Sequence, residues 1–152
     1  WVPKMRETFA NLEKSLLDMV SDWNEPPKAI MMVSGHWEGD EVEVMATPNP
    51  PMVYDYYNFP KETYEVVYRA EGSPKFANRA LELLQSAGIP AKLNSDRGYD
   101  HGVFVPMAAM YPDAEMPLFQ QGHAIAVQIF LRSPKANAGF SIAAYHHGGI
   151  RQ

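Results

Sequence analysis

From Met5 to Trp23 apolar residues recur three and four positions apart. Phe9, Leu12, Leu16, Val20 and Trp23 gather on one face of a predicted amphipathic helix. Asn24-Glu25-Pro26-Pro27 ends it, because proline lacks an amide donor and restricts the residue before it. Ala29 to Val33 is an unbroken apolar run, the pattern of a strand buried on both faces, with Ser34, Gly35 and His36 at its C-terminal end. Glu41 to Met45 alternates Val42 and Val44 with acids and predicts a short strand with one wet face. Pro48 to Pro60 carries prolines together with Tyr54, Tyr56, Tyr57 and Phe59, and predicts an irregular aromatic loop. Lys61 to Tyr68 follows as a short helix or turn.

Ser73-Pro74 predicts a helix start, with serine as N-cap and proline at the first helical position. Phe76, Ala77, Ala80, Leu81 and Leu84 form the helix's apolar face, and Gly88 stops it. A strand over Ile89–Leu93, a tight polar loop over Gly98–Gly102, a helix over Val103–Met110 with Pro106 in its first turn, and a buried strand over Met116–Phe119 complete the readable part. Strands alternating with helices predict an α/β fold with a mostly parallel or mixed central sheet flanked by helices, read here as incomplete. The patterning reads clearly over residues 1–120 and weakens over the tail, 121–152. The tail contains apolar stretches at Ala124–Leu131 and Phe140–Tyr145 with poor caps and turns between them.

Composition narrows the function classes. The 152 residues suffice for one domain with a core, and 46% hydrophobic with 20% charged residues is ordinary for a globular chain. A net charge of -5 without a basic run argues against nucleic acid. No cysteine is present, so disulfides and thiolate metal sites are excluded, and a cytoplasmic location is expected. No apolar stretch approaches the roughly 20 residues that span a bilayer.

Histidines are the candidate chemistry. In open α/β sheets ligands bind beyond the carboxyl ends of strands, where His36 lies. Imidazole there binds Fe(II) or Zn(II), or else caps the strand end by hydrogen bonding to backbone. His101, between Asp100 and Gly102, is suited to proton exchange near neutral pH, with Asp100 either orienting a histidine or capping the helix that follows. His146 and His147 are adjacent, so on a strand at most one enters a given site, and a solvated tail is the simpler reading. His123 is isolated and receives no role. The aromatic loop either covers an aromatic substrate or packs at a sheet edge or subunit contact.

These residues resemble a known family. Ile30-Met31-Met32-Val33-Ser34-Gly35-His36-Trp37 is similar to the Ser-Ala-His-Trp strand end of the class III extradiol ring-cleavage dioxygenases, in the LigB-type, 4,5-DOPA-extradiol-dioxygenase-like branch. Tyr54-Asp55-Tyr56-Tyr57-Asn58-Phe59-Pro60 resembles the family's aromatic loop, and Ala70-Glu71-Gly72-Ser73-Pro74 its helix entry. Arg97-Gly98-Tyr99-Asp100-His101-Gly102-Val103-Phe104 resembles its Gly-Phe-Asp-His-Gly loop, and Met110 to Pro117 its next strand entry. The matches span Pro3 to Gln120.

The resemblance implies a mononuclear non-haem Fe(II) site, or Zn(II) in some members, that opens a catechol ring with O2. It implies that His36 is a metal ligand and His101 an active-site histidine that contacts substrate or oxygen and assists proton transfer. It also implies a partial copy. The family's His-Gly-Ser-Pro ligand loop is not found upstream of the first helix, and its Ser-Gly-x-x-x-His-Asn strand end is not matched after Gln120, so His146 receives no ligand role. The expected partners are a small catechol-type aromatic and O2, with no nucleic acid and no membrane. A non-catalytic Memo-like binding protein and an inactive fragment are the alternatives.

Overall fold

The structure, a computed structural model, describes residues 7–23, 25–123 and 142–144. Helix α1 (Ala10–Ser21) is shorter than the described part of the predicted first helix, with residues 7–9 and 22–23 outside it, and it buries Leu16 with Leu12, Val20 and Trp23 packed beside it. Strand β1 (Ile30–Glu38) is longer than the apolar run that announces it. Ile30, Met31 and Met32 are buried in the sheet's centre, each burial worth about 1.5–3 kcal/mol. Ser34, Gly35 and His36 belong to the strand itself, rather than lying beyond its end as the sequence suggested.

Strands β2 (Val42–Met45), β4 (Ala91–Asn94), β6 (Leu118–His123) and β7 (Ile142–Ala144) complete a sheet of order β4-β2-β6-β1-β7. β1 runs parallel to β6 and β7, and β2 parallel to β4, while β2 meets β6 antiparallel at Val44–Gln121. The sheet is therefore mixed, within the expected class. Val42 and Val44 are fully buried, and Glu43 on the other face is held by Asn94 (2.6 Å) and Lys92 (3.1 Å). Helix α2 (Pro74–Ser86) buries Ala77, Ala80 and Leu84. Its N-cap Ser73 makes no side-chain cap bond, unlike the expectation, and the Ser73 carbonyl instead receives the Ala77 amide at 2.9 Å. Gly88 ends the turn at φ 74°, the left-handed region glycine reaches freely.

Inside the predicted irregular loop the chain forms β3 (Met52–Val53), which pairs in parallel with β5 (Tyr99–Asp100). The expected polar loop over Gly98–Gly102 is thus a correction: Tyr99 and Asp100 are a fully buried strand, and helix α3 (His101–Met110) begins at the histidine. Pro106 lies inside α3 and removes one intrahelical bond there. The Tyr99 hydroxyl lies 3.0 Å from the Leu118 carbonyl and 3.3 Å from those of Ala70 and Glu71, tying β5 to the start of β6. Burial pushes the Tyr99 phenol well above its usual range, so it stays a protonated donor. Lys61–Glu65 is a 3₁₀ turn following the aromatic loop. The apolar stretch at 124–131, most of the stretch at 140–145, and His146 and His147 lie outside the described residues.

Gly98 is required by close approach. A Cβ there would lie 2.0 Å from the Pro51 carbonyl oxygen, which accepts the Tyr99 amide at 2.8 Å and opens the β3–β5 pair. Gly98→Ala is expected to destabilise the fold by about 2 kcal/mol or more. Gly35→Ala, where a Cβ meets nothing within 4 Å, is expected to stay within about 0.5 kcal/mol of the parent. Urea midpoints at unchanged slope check both.

Candidate metal centre

The β3–β5 register builds the site. Val53 pairs with Asp100, so Asp55, two residues on, reaches His101, one residue on, across 46 positions of sequence. A single oxygen, Asp55 Oδ1, accepts the His101 backbone amide at 3.0 Å and lies 2.7 Å from His101 Nδ1. Burial works to raise the Asp55 carboxyl, but the hydrogen bonds from the His101 amide and ring, with the His101 charge, outweigh it and hold Asp55 below its usual range. An ionised carboxylate only accepts, so His101 Nδ1 carries the proton in this bond, and whenever the ring is neutral Nε2 is its acceptor. The amide donated is the first of α3, where the helix dipole adds to the attraction.

His36 comes from β1. Pairing with β6 runs in step from Ile30–Leu118 to Ser34–Gly122 and then jumps to Glu38–His123. His36 therefore lies in a bulge, a feature that re-aims side chains. Its Nδ1 is 3.6 Å from Asp55 Oδ2, and its ring centroid is 4.2 Å from that of His101. His36, Asp55 and His101 offer ligand atoms all within 4.8 Å of one another, a group that could hold a metal ion. Asp55 Oδ2 is buried yet has no hydrogen-bond partner among the described residues, so an anionic oxygen faces two imidazoles uncompensated. An imidazole nitrogen and a carboxylate oxygen are donors that suit Fe(II) or Zn(II), so His36 and Asp55 Oδ2 fit a metal, with His101 at its side.

Beneath lies a buried polar network. The Ser34 hydroxyl donates to Asp100 Oδ1 at 2.8 Å and accepts the His36 amide at 3.2 Å. Asp100 Oδ2 accepts from Arg97 Nη2 at 2.8 Å and from Gln120 Nε2 at 3.1 Å, and Arg97 lies over the Trp37 ring at 4.8 Å. Asp100 neither orients a histidine nor caps α3 through its side chain, the two roles offered from sequence. Asp55 orients His101 instead. Sequence reasoning placed Asp55 within the aromatic loop but gave it no role. The available signal was that it is the lone charge between Pro48 and Pro60.

A cavity of about 240 Å³ opens beside His101. Tyr56, Phe59 and Val66 line one side, and Phe104, Val105 and Ala108 of α3 the other. Tyr56 packs edge-on to the His101 ring at 5.3 Å. The aromatic loop thus walls a cavity, while Tyr54 packs on Phe104 of α3 at 6.1 Å, a helix rather than a sheet edge.

Residues 3–135 match the family of the catalytic LigB subunit of aromatic ring-opening dioxygenase. The chain belongs to this family. It is 41% identical over 100 residues to a 4,5-DOPA dioxygenase extradiol of Beta vulgaris, covering 64% of this chain and 37% of that protein. It is 38% identical over 102 residues to the dioxygenase tasH of Hapsidospora irregularis, covering 66% and 32%. The crystal structure of an uncharacterized protein from Escherichia coli K12 superposes with a TM-score of 0.58 at 28% identity, over 87% of this chain and 51% of that one. The chain therefore spans about a third of the length of the curated relatives it matches. These relatives favour a dioxygenase descent over the Memo-like alternative. Among the described residues no helix is long and apolar enough to cross a membrane.

Gly102 lets the two histidines approach. A Cβ there would lie 2.9 Å from His36 Cδ2 and 3.1 Å from Ser34 Oγ. Gly102→Ala is expected to push the half-exposed His36 ring aside, weakening Zn(II) binding by about tenfold or more while costing less than about 1 kcal/mol of stability. Calorimetric metal titration together with urea unfolding checks it.

Proposed function

We propose that this chain carries the substrate-facing part of a metal-dependent extradiol dioxygenase, which opens a catechol-type ring with O2. His36 serves as a metal ligand and His101 as the active-site acid–base. The observation that carries the reading is the uncompensated Asp55 Oδ2 facing His36 while Oδ1 is committed to His101. His36 with Asp55 Oδ2 would hold the metal from this chain. A bound Fe(II) would supply the Lewis-acid and redox chemistry that ring opening by O2 needs, whereas Zn(II) would supply Lewis acidity alone.

The chain's own residues do the rest. Asp55 fixes the His101 ring and keeps the proton on Nδ1, leaving Nε2 free to take a proton from a catechol hydroxyl and return it later. Tyr56 and Phe104 flank His101 with apolar surface, which orients a flat ring and excludes water from one side of it. The relatives named as 4,5-DOPA extradiol dioxygenases support the catechol class.

Two measurements test the reading. Zn(II) or Fe(II) titration should show 1:1 binding, weakened by about 100-fold in His36→Ala and by about tenfold in Asp55→Asn. Fe(II)-dependent O2 uptake with catechol should fall at least about 100-fold in His101→Ala. Metal binding indifferent to His36 would overturn the assignment.

A further inference from the structure

The cavity beside His101 has a chemical character that the ring-opening reading does not use. His101, Val105 and Ala108 stand at i, i+4 and i+7 on α3, one face of the helix. His101 is at the polar end, and Val105 and Ala108 carry the wall away from it. Opposite stand Phe59 and Val66. Phe59, Val66 and Val105 are 48%, 40% and 36% exposed, so three of the exposed large apolar side chains among the described residues line this one cavity.

The polar atoms in the lining are already spent. The Tyr56 hydroxyl donates to the Thr63 carbonyl, and the Thr63 hydroxyl donates to the Pro60 carbonyl at 2.7 Å. No lysine or arginine among the described residues lines the cavity. Lys61, in the neighbouring 3₁₀ turn, lies 3.5 Å from Glu65, and Arg97 is bound to Asp100 in the network beneath. Among the described lining residues, His101 Nε2 is the polar side-chain atom without a hydrogen-bond partner.

We infer that the wall formed by Val66, Val105 and Ala108 selects catechols with an uncharged, apolar ring substituent and disfavours those whose substituent ends in a carboxylate. The inference rests on the catechol reading above. A cavity of ~150 Å³ holds a benzene ring, so about 240 Å³ takes a ring together with a short alkyl chain. A carboxylate placed against this wall gives up water and finds in return no lysine, arginine or free side-chain donor among the described residues around Val66, Val105 and Ala108. An alkyl chain gains by leaving water there.

The test is calorimetry on the full chain loaded with Zn(II), which has no redox chemistry and holds a ligand without turning it over. The ligands are 4-propylcatechol, 3-(3,4-dihydroxyphenyl)propanoate, unsubstituted catechol and propylbenzene. The expected result is that 4-propylcatechol binds at least about tenfold more tightly than the propanoate. Val105→Lys, at an exposed position, should invert that order by placing an ammonium one helical turn from His101. A ratio of dissociation constants is read, so a misfolded fraction, which lowers the number of sites, leaves it unchanged. Equal binding, or tighter binding of the propanoate to the parent chain, would overturn the selectivity; catechol binding that depends on His36 would then leave the dioxygenase reading standing. Binding of propylbenzene as tight as that of every catechol would overturn both, since the cavity would then take apolar ligands without recognising the hydroxyls.

Discussion

One carboxylate oxygen organises this molecule's chemistry. Asp55 Oδ1 accepts both N–H groups of His101, from backbone and ring, and in doing so joins an aromatic loop to the first residue of α3. Hydrogen bonds to a charged group contribute about 1.5–3 kcal/mol each, enough to fix a loop that has little regular pairing of its own. The same contact determines three things together. It sets where α3 begins, it sets which His101 nitrogen is free, and it turns the other carboxylate oxygen toward His36 with no partner. Breaking it would release the His101 ring and Asp55 Oδ2 together, whereas the start of α3 keeps the buried Asp100 network beside it.

The contact in turn depends on a buried scaffold that contains no catalytic group. Asp100 is fully buried and would be costly alone, but Ser34, Arg97 and Gln120 all donate to it. Each donor comes from a different part of the chain: β1, the segment before β5, and β6. The network therefore works as a registration device. Through the Ser34 hydroxyl it reaches the His36 amide, so the position of the β1 bulge and the position of α3 are referred to one buried anion. Arg97 is kept in place by Trp37, the residue after His36, which closes the loop of constraints.

Much of this was legible in the sequence, and the failures have physical causes. The apolar run located β1, the alternation of valines with acids located β2, and the helical spacings located α1 and α2, because burial imposes those periods directly. His36 and His101 were legible as strand-end and helix-start imidazoles. The bulge that aims His36 was not, because a bulge is a mismatch between two strands and leaves no mark on either alone. Asp100 looked like the partner of His101 because they are neighbours, but adjacent residues at a strand–helix junction point apart. Asp55 was hidden for the converse reason: its pairing depends on the register of β3 with β5, two-residue strands too short to show a period.

That register also explains why a charged floor and an apolar wall coexist within one helix length. β5 ends at Asp100, buried and facing inward, and the next residue, His101, turns outward as α3 begins. Helical spacing then carries the outward face from His101 to Val105 and Ala108, while Val103 and Met107 turn to the core and the buried Phe104 stands between, lining the cavity from within. The polarity therefore changes within one turn of helix, between an imidazole held by a carboxylate and a valine open to solvent. A ligand lying along this face would meet an imidazole at one end and apolar surface at the other, so the helix alone presents the two ends of the cavity with different chemistry.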